Sequence, residues 1–131
     1  MEEDELLQKW EETYKRGLLS LWILLLLAER PSYPFEMRPL LEEISQGTMT
    51  ADDNSIYRAL ARFQDMGLTD SDTQPSKQGP YRRYYRLTDR GRGLLKRFIE
   101  RNILIFSVPA VADRIHSICS DHAQEENNHE N

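Results

Sequence analysis

Between Thr50 and Leu87 three groups of polar side chains recur with spacings that suit a polyanion with readable edges. Asn54, Ser55, Tyr57, Arg58 and Arg62 come first at helical intervals, Lys77 and Gln78 follow beside a glycine, and Arg82 and Arg83 close the set inside an alternating run. A guanidinium is a planar fork of N–H donors that matches phosphate oxygens and the acceptor edge of guanine, while asparagine and serine suit base edges. The chemistry is therefore nucleic-acid contact. Asn54, Ser55 and Arg58 suit bases, Arg62, Arg82 and Arg83 suit phosphates, and Lys77 and Gln78 suit a neighbouring groove. Tyr57 fits a phosphate contact and fits equally a ring at the edge of the core.

Two elements must position these groups. Ile56, Ala59, Leu60, Phe63 and Met66 recur every three or four residues, so they form the buried face of a helix of about four turns whose other face carries the polar set. Asp52 or Asp53 caps its start and Gly67 stops it. A strand over Leu68 to Asp72, a polar turn TQPSKQGP and a strand over Tyr81 to Leu87 then make a hairpin with a cationic tip and flank. Helix and hairpin together describe a winged helix-turn-helix, mainly α with a small β wing.

The run SIYRALARFQDMGL, a Gln-, Gly- and Pro-rich wing, and RRYYRLTDRG resemble the signature of PadR-type transcriptional regulators. GLLSLWILLLLAE and PSYPFEM resemble the first and second helices of that family, so the likeness spans residues 14 to 104. It implies a homodimer that binds duplex DNA, two-fold packing of the first and fourth helices against their counterparts, and action as a repressor at a pseudo-palindromic operator. Where the family places Tyr-Gly-Tyr-Glu, this chain has Tyr33-Pro34-Phe35-Glu36. The long first helix and compact C-terminus also resemble the cyanobacterial clock modifiers of that family, which implies a clock-related target.

The chain has 131 residues, enough for one domain with a sizeable core, and 17 Lys and Arg against 22 Asp and Glu, a net charge of −5. A uniformly acidic protein would repel DNA, but the charge is segregated. Ser76 to Arg101 holds nine basic residues against Asp89 and Glu100, while acid collects at the two ends. The lone Cys119 excludes an intrachain disulfide and fits a reducing cytoplasm. An acidic N-terminus is unlike a secretory leader, and the apolar run Leu18 to Ala28 falls short of the roughly 20 residues a membrane span needs.

In chain order, residues 1–13 read as an acidic helical extension, 14–106 as the winged helix-turn-helix with its dimerisation helix, 107–119 as a short C-terminal helix, and 120–131 as a disordered polar tail. The first helix runs from about Glu5 to Glu29 with Leu7, Trp10, Tyr14, Leu18, Leu21, Leu25 and Ala28 in register. It is apolar nearly all round from Leu18 to Leu27, which calls for burial on more than one side. The second helix spans about Pro34 to Ile44 and either starts late or kinks at Pro39. Thr88 caps the fourth helix, whose stripe Leu94, Leu95, Phe98, Ile99, Asn102, Ile103 and Phe106 exceeds what a small domain covers alone. The expected dimerisation residues are Trp10, Tyr14, Leu18, Trp22, Leu95, Phe98, Asn102 and Ile103.

Other chemistries are weaker. Trp10 and Trp22 suit an aromatic effector at a dimer centre as in PadR-like multidrug sensors, yet Asn102 stands where those sensors have a stacking tryptophan, so core or dimer packing is the favoured role. His116, Cys119 and His122 are soft ligands, but a helix turns His122 away from the other two, and no metal or cofactor is expected. Gly91-Arg92-Gly93 lacks the strand and third glycine of a phosphate-cradling loop, and no nucleophile stands beside a base, so an enzyme is not expected. A ligand-responsive sensor and a winged helix turned to a protein partner remain the alternatives to a DNA-binding regulator.

Overall fold

The computed structural model describes residues 2–76 and 79–130, with side chains described as far as residue 120. Its elements are α1 (Glu3–Glu29), α2 (Pro34–Ile44), α3 (Asp53–Asp65), β1 (Thr69–Gln74), β2 (Arg82–Leu87), α4 (Asp89–Asn102), a 3₁₀ turn over Leu104–Ser107, and α5 (Pro109–Glu130). Contacts divide the chain into two compact units, Met1–Leu95 and Lys96–Asn131, so the boundary falls inside α4. This is the mainly helical, winged fold that the sequence pattern implies.

The core of the first unit is made by the C-terminal half of α1, through Leu21, Ile23, Leu24, Leu26 and Leu27, against Met37 and Leu41 of α2 and Ile56, Ala59, Leu60 and Phe63 of α3. Burial at such closely spaced positions of α1 matches its all-round apolar stretch. The half before Gly17 is different. Leu7, Trp10 and Tyr14 are exposed, so the apolar stripe expected there stays largely in solvent among the described residues. Met66 caps the end of α3 and is also exposed, which removes it from the buried face assigned by periodicity.

Helix α2 begins at Pro34, where the missing N–H costs nothing, and the Tyr33 N–H donates to Glu36 Oε1 at 3.4 Å. Pro39 lies inside the helix, so the late start is excluded. For α3 the cap is Asp52, whose Oδ1 accepts the Ser55 N–H at 2.7 Å. Gly67, at φ +75°, takes the left-handed turn that ends the segment, a conformation almost free for glycine and strained for other residues.

The wing is one antiparallel pair with Thr69 opposite Leu87 and Gln74 opposite Arg82. A contact that local pattern did not reveal adds a third edge: buried Ser32, between α1 and α2, exchanges both backbone hydrogen bonds with Tyr85, at 3.0 and 2.8 Å. Thr88 starts α4 as expected, its hydroxyl donating to Gly67 O and accepting the Gly91 N–H. The expected stripe through Phe106 is corrected, because α4 stops at Asn102 and Leu104–Ser107 tightens into a 3₁₀ turn. In the second unit, α5 is assigned through Glu130, past the stop expected at Cys119.

Candidate nucleic-acid interface

The exposed side of α3 follows from its own amphipathicity. With Ile56, Ala59, Leu60 and Phe63 turned inward, Asn54, Tyr57, Arg58 and Arg62 are left in solvent and Ser55 half-buried. Arg58 Nη2 lies 3.5 Å from Ser55 Oγ, so these two polar groups form one local unit near the helix start. Asp52 sits there too. Chiefly because the Ser55 N–H donates to it, its carboxyl is held below the usual carboxylate range, and the nearby Arg58 charge works in the same direction.

Alternation along β2 sends its two first arginines to opposite faces of the hairpin. Arg83 turns toward α3: its Nη1 donates to Ser71 Oγ at 2.9 Å, and Ser71 in turn donates to Gln64 Oε1 at 2.9 Å. A chain of hydrogen bonds thus ties the wing to the helix it flanks. Arg82 turns toward α2, its guanidinium carbon 4.8 Å from the centre of the Tyr33 ring and 5.6 Å from that of Phe35. Tyr33 meets Tyr84 edge-on, with centroids 5.3 Å apart. Between these groups lies a cleft of about 370 Å³ to which Tyr57, Tyr81 and both arginines contribute.

The cationic flank is less charged than the chain order implies. Arg86 Nε is 2.7 Å from Asp70 Oδ1, and its Nη2 is 2.8 Å from Asp72 Oδ2. Those aspartates lie on β1, outside the basic stretch, and strand pairing delivers them to it. Hydrogen bonding to Arg86 holds the Asp72 carboxyl below its usual range and raises the Arg86 value in turn. Arg86 is therefore committed within the protein, while Arg58, Arg62, Arg82 and Arg83 make no ion pair among the described residues.

A second groove, of about 670 Å³, joins Lys15 and Arg16 of α1 and Arg38 of α2 to Thr50, Asp52 and Ser55 at the start of α3. These cations were not among the sequence candidates. They lie on other elements, and only packing of the three helices brings them to that end of α3. Lys15 is already engaged by Glu11 at 3.4 Å. Lys77 and Gln78 lie outside the described residues.

A model of the PadR-like transcriptional regulator family matches residues 23–97, from the core of α1 to the middle of α4. That is more than half of the 131-residue chain. The chain belongs to the PadR-like family. Its members are transcriptional regulators and not enzymes. Among solved structures, a transcriptional regulator from Clostridium thermocellum aligns at 26% identity and TM-score 0.63, covering 72% of this chain and 92% of that one. A PadR-like regulator from Bacillus cereus aligns at 27% and 0.60, covering 79% and 92%. Bacillus subtilis PadR, solved in complex with operator DNA, shares the fold at 23% and 0.57, over 63% of this chain and 46% of its own. No curated protein sequence matches the chain.

The expected dimerisation residues separate by burial. Trp10 is 75% exposed, Tyr14, Phe98 and Asn102 are exposed, and Leu18, Trp22 and Ile103 are half-buried. Leu95 is 6% exposed and lies in the core of the chain. In the second unit Asn102 Nδ2 donates to Phe98 O at 3.1 Å. Among the described residues no three of His, Cys, Asp and Glu gather where a metal would be held, and the His122 side chain lies outside that set. No single helix there is long and apolar enough to cross a membrane.

Proposed function

We propose that this PadR-like regulator binds duplex DNA as a homodimer in the cytoplasm, recognises a pseudo-palindromic operator and represses transcription. The observation that carries the reading is the exposed polar face of α3, flanked by a wing whose Arg83 is tied to that same helix through Ser71 and Gln64. Asn54, Ser55 and Arg58 read base edges. Arg62, Arg82 and Arg83 hold phosphates, Tyr57 adds a hydroxyl beside them, and Lys77 and Gln78 reach the adjacent groove. The operator complex of Bacillus subtilis PadR supports this use of the shared fold.

Dimerisation is supported by apolar surface that would otherwise be wetted: Trp10 and Tyr14 on α1, and Phe98, Leu104 and Phe106 in the second unit. A two-fold axis would set the two α3 helices about 34 to 36 Å apart, in successive major grooves. A clock-related target rests on the long α1 alone. The strongest second reading is docking of a protein partner on the acidic start of α1, favoured by exposed Leu6, Leu7, Trp10 and Tyr14. An effector between Trp10 and Trp22 has weaker support, since one ring is exposed and the other half-buried.

Selection from a random duplex pool at two salt concentrations tests the proposal. Enrichment of an inverted repeat, with affinity falling steeply as salt rises, is expected. Salt-sensitive binding without sequence preference would refute the operator reading.

A further inference from the structure

We propose that Phe35 is a positioning residue for DNA binding: with Tyr33 it forms an aromatic shelf that holds Arg82 in place to grip a backbone phosphate. The inference rests on the operator reading above and assigns a role to a residue outside the polar set.

Phe35 is 71% exposed, an unusual position for an apolar ring at the start of a helix, and it contributes to no core. What it does touch is a charge. The Arg82 guanidinium lies over both rings, close enough for attraction to their electron-rich faces, and Tyr33 is braced from below by Tyr84. Arg82 meets the two rings and makes no ion pair among the described residues, so its N–H donors are left for phosphate oxygens. The anchoring is covalently short and doubly hydrogen-bonded, because Ser32, next to Tyr33, pairs through its backbone with Tyr85, next to Tyr84. Arg83 is held by Ser71 on the opposite face, so the two arginines are positioned by independent devices. An unstacked arginine would have to give up side-chain freedom on binding, whereas the shelf removes part of that loss beforehand.

The test uses the full chain and two fluorescein-labelled duplexes of equal length, one carrying the inverted repeat enriched by selection and one scrambled. Phe35→Ala is expected to weaken both by about two- to fivefold, the range for one exposed cation–π contact. Specificity should not change, and neither should the melting temperature, which separates positioning from folding. Arg82→Ala should weaken both duplexes more and flatten the salt slope by about one, since one phosphate contact is lost. Phe35→Tyr and Phe35→Trp should bind like wild type. The decisive comparison is the double variant: Phe35→Ala added to Arg82→Ala should produce no further loss. Additive losses, or full affinity in Phe35→Ala, would overturn the shelf while leaving the operator reading intact. A wild-type chain that binds neither duplex would overturn both.

Discussion

Gly91 offers a sharp check on the way α4 is set against the wing. A Cβ built there would run into the carbonyl oxygen of Leu68 and come within 2.7 Å of Leu87 Cδ1 and 2.9 Å of the Leu68 carbonyl carbon. The obstacle is backbone, and it is not free to move: Leu68 O accepts the Thr88 N–H at 3.1 Å, and Leu68 itself is buried. Overpacking of this kind costs about 3 kcal/mol, the upper part of the usual range, because a carbonyl and not a flexible side chain must give way. Alanine recovers up to about 1 kcal/mol of helix propensity, leaving a net loss of about 2 kcal/mol. For a folding unit of this size that is a fall in melting temperature of about 10 °C. Gly93, two residues on, has no atom within 4 Å of its added Cβ, so Gly93→Ala should gain the propensity alone and melt about 4 °C higher. Thermal unfolding followed by circular dichroism measures both. Equal midpoints for the two variants, or a rise for Gly91→Ala, would refute the close approach of α4 to Leu68.

Other outcomes follow from the interface. Arg58→Ala should relax sequence preference while Arg83→Ala weakens all duplexes and lowers the salt slope by about one, measured by anisotropy across the selected pool; equal losses on every duplex would contradict that division. Ser71→Ala should reproduce a smaller version of the Arg83→Ala loss, because it frees the arginine without removing its charge. The Asp72 carboxyl titrates below its usual range because Arg86 donates to it, so this contact stabilises the fold above the ordinary carboxylate range and fades as pH falls through the lowered folded value. A carboxyl titration by NMR should therefore show Asp72 returning to the ordinary range in Arg86→Met, and the melting difference between Arg86→Met and wild type should shrink toward pH 3. Asp52→Ala should fray the start of α3 and lower both melting temperature and DNA affinity, whereas Asp52→Asn, which keeps an accepting oxygen, should largely preserve them. Trp10→Ala with Tyr14→Ala should weaken self-association in sedimentation, with the protomer's melting left nearly unchanged because both rings are exposed.

Much of the fold was legible along the chain because its terms are local. Apolar spacing of three and four residues marked α1, α2, α3 and the first turns of α4, and Asp52, Gly67 and Thr88 marked ends where orphan backbone groups need a partner within a turn. The alternation of β2 and its polar turn located the wing, and the SIYRALARF and RRYYRLTDRG runs resembled the family to which the chain belongs. Periodicity misplaced Met66 and carried α4 too far, since a stripe continues past a helix end whenever the following residues happen to be apolar.

What tertiary structure decided were the partners of groups far apart in sequence. Nothing near Arg86 announces that two aspartates across the hairpin take up its charge, and nothing near Ser32 announces Tyr85. The exposed Phe35 acquires a role only beside Arg82, and the burial of Leu95 follows only from packing around it. Sequence fixes which groups a residue brings and which way a helix or strand turns them. Register and packing fix which groups meet, because electrostatic and van der Waals terms act over a few ångströms of space regardless of the chain length between them.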